Sequence, residues 1–124
     1  IHAEWLLQAH GTVYNLPHEP FVVFDLTRNG KRVPYTEMVQ RCEQFDIINP
    51  YCISIGDSIS VDDALLKLGQ LGKHGSTETV EGVVYRVERK GEFDFMAKYV
   101  HPDKVDGKYL PEISGNETIW NYEL

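Results

Sequence analysis

The chain reads as a small α+β domain, an antiparallel β-sheet with packed helices. Two β-branched and aromatic runs end in hairpin turn signals, one at Asn29-Gly30 and one around Lys90-Gly91. Between them, apolar residues recur at three and four positions over residues 35–45 and 61–71, the spacing of a helix that buries one face. A hydrophobic fraction of 42% and a charged fraction of 25% are those of an ordinary globular chain, which excludes disorder, collagen and coiled coil.

Taken in order, residues 4–8 predict a short strand, and Gly11 with Asn15-Leu16-Pro17 marks the turn after it. Phe21-Val22-Val23-Phe24-Asp25-Leu26-Thr27 follows two prolines and predicts a buried strand. Met38, Val39, Cys42 and Phe45 define the buried stripe of a first helix, with Pro34 suited to its start. Residues 51–55 predict a further strand. Ser60 resembles an N-cap, Asp62 and Asp63 complement the first turn, and Val61, Ala64, Leu65, Leu68 and Leu71 form one apolar stripe until Gly69 to Gly72 end it. Residues 82–88 and 93–100 then predict an antiparallel hairpin. From Pro102 to Trp120 the chain turns polar and predicts loop or an ordered tail.

At 124 residues the chain suffices for one core, so residues 1–124 are expected to be a single domain or part of one. No apolar run approaches the roughly 18 to 20 residues that cross a bilayer, and the N-terminus has no signal-peptide pattern, so a cytoplasmic chain without membrane contact is expected. A first residue of Ile1, leading almost directly into Trp5-Leu6-Leu7, suggests a start inside a larger polypeptide. Cys42 and Cys52 have no CxxC spacing and are expected to be free, partly buried thiols. His10, His18, His74 and His101 show no metal-ligand spacing among themselves. A net charge of −7 argues against strong generic affinity for nucleic acid, although net charge does not determine the field inside a cleft.

Glu81-Gly82-Val83-Val84-Tyr85-Arg86, followed one hairpin later by Phe95-Met96-Ala97-Lys98-Tyr99-Val100, resembles the two late motifs of the covalent nucleotidyltransferase superfamily, and of its ATP-dependent RNA ligases in particular. Glu4-Trp5-Leu6-Leu7-Gln8 is similar to the earlier ribose-contacting motif, and Phe21-Val22-Val23-Phe24-Asp25 to the one that stacks on the purine. The resemblance implies part of an ATP-grasp-like ligase domain, its C-terminal portion. It implies Glu81 as a metal-binding catalytic carboxylate and Lys98 as a catalytic cation on the nucleotide α-phosphate. Glu4 is implied for the ribose and Phe24 for the adenine. The implied cofactors are ATP as AMP donor and Mg2+; the implied partners are RNA ends, a 5′-phosphate and a 3′-hydroxyl. The physical need behind these residue types is positioning and charge neutralisation around a phosphate.

Relatives attack the phosphate with the lysine of a Lys-x-Asp-Gly motif that precedes all the others, and only three residues precede Glu4 here. A literal match stands at Lys104-Val105-Asp106-Gly107, after the last motif, where it reads as a loop with an Asp-Gly turn; using it would demand a circular permutation. The chain alone is therefore expected to be inactive, part of an enzyme whose first half lies elsewhere. Many relatives also carry two lysines in the last motif, where this chain has Met96-Ala97-Lys98. The rival readings are a DNA ligase or capping guanylyltransferase fragment, which share the motif order, and a non-catalytic acidic β-rich binding domain.

Overall fold

The computed structural model describes residues 1–123. In chain order it contains β1 (His2–Trp5), β2 (Phe21–Asp25), β3 (Thr27–Arg28), β4 (Lys31–Arg32), α1 (Tyr35–Gln44), α2 (Val61–Leu68), β5 (Gly82–Arg89), β6 (Glu92–Val100) and a short α3 (Pro111–Ser114). The class is α+β with antiparallel pairing. Instead of one sheet, the described strands form three separate two-stranded ribbons, β1-β2, β3-β4 and β5-β6. No described helix is long and apolar enough to cross a membrane.

Both hairpins form where the turn chemistry demands. Asn29 and Gly30 take φ of 53° and 78°, and Lys90 and Gly91 take 53° and 75°, the double left-handed step of a two-residue turn that matches strand twist. The helices also form where the stripes begin, but Phe45 caps α1 and Leu71 lies beyond α2, and both are exposed rather than part of a buried stripe. In α2, Ser60 accepts a bond from the Asp63 N–H at 3.1 Å, as its N-cap identity requires.

Two small cores flank the long β5-β6 ribbon. Val23, Val33, Met38 and Cys42 form one, against Ala3, Leu26, Tyr35, Val39 and Ile47. Ala64, Leu68 and Val83 form the other, with Ile53, Ile59, Leu65, Val80, Tyr85 and Tyr99 packed around them. Because strand side chains alternate, Val83, Tyr85 and Tyr99 commit one ribbon face to the second core and turn Val84, Arg86, Met96 and Lys98 to the other side.

That other side is fastened by charge. Asp25 has no solvent exposure, and its carboxylate accepts from Arg86 Nη1 at 3.1 Å and from the Leu26 N–H at 3.0 Å, with Arg32 Nε 3.0 Å from its second oxygen. Arg86 also donates to Glu88 at 2.8 Å and to the Val33 carbonyl at 2.6 Å, while Glu88 accepts the Tyr35 N–H at 2.8 Å. A buried carboxylate is tolerated only when paired and hydrogen-bonded in this way. The network docks β5 onto β2 and onto the start of α1.

Three expectations need correction. Residues 51–55 are not a strand: the Tyr51 N–H donates to His74 Nε2 at 3.0 Å rather than to a neighbouring backbone, and Ile53 packs into the second core. The first strand is His2–Trp5 rather than residues 4–8, since Gln8 makes only an isolated bridge to Trp120. Both cysteines are free, but Cys52 is exposed where a partly buried thiol was expected; Cys42 is buried in the first core.

Candidate active site

Glu81 is the last residue before β5, and its carbonyl accepts the His101 N–H at 2.6 Å, extending the ribbon by one rung past Val100. Its carboxylate lies in a cleft lined by the end of the ribbon and the N-terminal segment. There Oε1 accepts the buried Thr12 hydroxyl at 2.9 Å, and Oε2 lies 2.6 Å from Lys104 Nζ. Gly11 makes this approach possible: a Cβ there would stand 3.0 Å from Glu81 Oε1 and 3.5 Å from Lys104 Cε.

The cleft is a cavity of about 530 Å³. Glu4 enters it from β1, Lys98 from the outer face of β6, and Glu81 from the start of β5, so three of the four residues singled out by the motifs share one concave surface. Trp5, His10, Tyr14, Lys104, Asp106 and Asn121 are among its other polar and aromatic lining residues. A second cavity of about 180 Å³ lies between α2 and the ribbon, and among the described residues lining it the ionisable ones are His101 and Tyr99.

Phe24 is not brought to this surface. His2 pairs with Asp25 and Ala3 with Val23, which leaves Phe24 as the extra residue of a β-bulge. Its ring sits 6.4 Å from the His2 imidazole, outside the cavity wall. The aromatic residues that do line the cavity are Trp5, whose ring is 6.2 Å from that of Phe21, and Tyr14.

The electrostatics are set by carboxylates. Burial, then the negative charges of Glu81 and Glu4, push the Tyr14 hydroxyl up to about 12, so it stays a donor at neutral pH. Burial opposes the charge on Lys104, but the bonds from Glu81 and Asp106 outweigh it and hold the ammonium protonated, above its ordinary range.

The ordered tail supplies a wall of the cavity. The Tyr109 N–H donates to the His10 carbonyl at 2.8 Å, and Asn121 is locked into the N-terminal segment. Lys104 had a local signal, the Lys-x-Asp-Gly pattern, whose place in the chain argued for a loop. Thr12, Tyr14 and Asn121 carried none, because their bonds span 69 or 107 residues.

No curated protein and no solved structure matches the chain. The RNA ligase family does, over residues 1–100, a span that contains Glu4, Glu81 and Lys98 and ends with β6. The chain belongs to the RNA ligase family.

Proposed function

We propose that the chain is the nucleotide-binding part of an RNA ligase that joins a 5′-phosphate RNA end to a 3′-hydroxyl through AMP intermediates, with ATP as AMP donor. The observation that carries this reading is the convergence of Glu4, Glu81 and Lys98 on one cavity inside the family-matched span. Its volume, about 530 Å³, suits a nucleotide-sized ligand. In this reading the Lys98 ammonium neutralises charge on the α-phosphate, and Glu4 accepts from the ribose hydroxyls. Trp5 and Tyr14 offer ring faces to the base, the role that the resemblance had given to Phe24.

The donor set suits Mg2+. A carboxylate oxygen accepts more than one bond, so Glu81 keeps capacity beyond Thr12 and Lys104. Among the described residues no group of three or more His, Cys, Asp or Glu side chains could cage a metal. Mg2+ takes one or two carboxylates and completes its shell with phosphate oxygens and water, so Glu81 would suffice from this chain. When bound, the ion would neutralise phosphate charge. The cavity itself carries Glu4, Glu81 and Asp106 against Lys98 and Lys104, so it repels bare polyphosphate and calls for a divalent counter-ion.

In this reading the described lysines bind rather than attack. An attacking amine must be uncharged, and Lys104 is held protonated by its two carboxylates. The AMP-accepting lysine then belongs to another segment of the parent enzyme. Titrating the chain with Mg2+-ATP in a calorimeter tests the proposal: binding should be measurable, and E81Q and K98M should each weaken it about tenfold, or about 1.4 kcal/mol. Mass spectrometry after incubation should find no AMP adduct. Absence of ATP binding, or E81Q and K98M that bind as wild type, would sink the reading.

A further inference from the structure

We infer that Lys104, outside the span that matches the family, is a second phosphate-binding cation of this cavity, held ready by Glu81. The inference rests on the nucleotide-site reading above and adds a ligand contact that the matched span does not contain.

A lysine has three N–H donors, and Glu81 at 2.6 Å and Asp106 at 3.0 Å take two of them. The third remains for a ligand in the cavity that Lys104 lines. Its side chain is only 16% exposed, whereas the Asp106 side chain is 94% exposed and is thus a weak, water-screened tether. Glu81 is therefore the partner that orients Lys104, and it is also the carboxylate that the reading above gives to Mg2+. Glu81 would hold the ion through its carboxylate, and Lys104, sharing that carboxylate, would then have its ammonium free for the phosphates. The segment is seated for this: the Lys104 N–H donates to the His101 carbonyl at 3.1 Å, and the Tyr109 N–H to the His10 carbonyl at 2.8 Å. With Lys98 on β6, two cations line the one cavity and would address the same anion, a point charge each.

A lysine that merely straps the tail to β5 would make a different prediction, because its loss would weaken every ligand alike. The test measures the affinities of wild type, K98M, K104M and K104R for adenosine, Mg2+-ATP and Mg2+-tripolyphosphate. K104M should lose about tenfold or more for ATP and tripolyphosphate and less than about twofold for adenosine, with K104R recovering most of the loss. Since K104M leaves Glu81 unpaired and could unfold the segment, E81Q is also compared with E81Q/K104M for tripolyphosphate without metal. There the double variant should again bind about tenfold more weakly. If wild type binds neither ATP nor tripolyphosphate, the nucleotide-site reading fails and takes this inference with it. If wild type binds and K98M weakens it while K104M does not, or K104M weakens adenosine equally, Lys104 is a strap and only this inference falls. An AMP adduct on Lys104 would overturn it too, since an attacking amine cannot remain a cation.

Discussion

Tyr14 illustrates how single residues report on the cavity. Its hydroxyl is pushed up to about 12 by burial first and then by the carboxylates of Glu81 and Glu4, against an ordinary value of 10.0. Below pH 10 both folded and unfolded chains keep the proton and nothing is lost. As pH rises from 10 toward 12 the unfolded chain releases its proton first, so the folded state loses stability across that window. Ultraviolet phenolate titration should show late-ionising phenols, Tyr14 and Tyr35 foremost, and the Tyr14 share of that late ionisation should vanish in Tyr14→Phe. In E81Q that late ionisation should move down, because one of the two repelling charges is gone. The roles of Glu4, Glu81 and Lys98 could be proposed from sequence since each sits in a short local pattern. Thr12 and Tyr14 could not, because what makes them part of the site is a carboxylate 69 positions away for one and a tail amide 107 positions away for the other.

Among the elements, the β5-β6 ribbon matters most, since it carries Lys98 and places Glu81. Its first rung pairs Gly82 with Val100 so closely that a Cβ on Gly82 would stand 1.8 Å from the Tyr99 carbonyl oxygen, a backbone atom that cannot step aside. Gly82→Ala should therefore break the rung beside Glu81, lower stability by roughly 1–3 kcal/mol and weaken Mg2+-ATP, measurable by urea denaturation and calorimetry. Turn chemistry made both hairpins legible, for the left-handed pair is specified by two adjacent residues. The misread segment at 51–55 shows the opposite case, in which a β-rich pentapeptide finds no strand edge and is held by imidazoles instead. The Tyr51 N–H donates to His74 Nε2, so His74 carries its proton on Nδ1 and donates to His18 Nε2 at 2.7 Å, and His18 Nδ1 donates to the Glu19 carbonyl at 2.7 Å. Every nitrogen in this chain is committed with both rings neutral. Burial, then the neighbouring His18, lowers the His74 pKa from its ordinary 6.5. As pH falls below that value the unfolded chain takes up the proton first, so stability drops until the folded His74 also protonates. Urea midpoints at pH 7.5 and pH 5 should differ more for wild type than for His74→Gln, and an unchanged difference would refute this link between His74 and stability.

At the scale of the whole molecule, the ends of the chain close the structure. Asn121 is buried and makes four bonds to the N-terminal segment: its N–H donates to the Leu7 carbonyl at 2.8 Å, its carbonyl accepts the Leu16 N–H at 3.1 Å, its Oδ1 accepts the Tyr14 N–H at 2.9 Å, and its Nδ2 donates to the Leu6 carbonyl at 2.8 Å. The neighbouring Ile119 carbonyl accepts the Ala9 N–H at 2.8 Å. Nothing in the polar composition of the tail foretold this, because an amide side chain that replaces a strand partner has no periodic signature. Its consequence is that the cavity wall holding Lys104 is tied at both ends, by β6 before it and by Asn121 after it. Asn121→Ala keeps the two backbone bonds but orphans the Tyr14 N–H and the Leu6 carbonyl, each costing about 1–3 kcal/mol when shut off from water. The variant should therefore lose roughly 2–6 kcal/mol in denaturant melts, a large part of what a domain of this size possesses. Since Trp5, Tyr14 and Asn121 share the cavity wall, it should also weaken Mg2+-ATP more than a variant of equal instability in the first core, such as Met38→Ala. Equal affinities in the two variants would mean that the tail stabilises the fold without shaping the site.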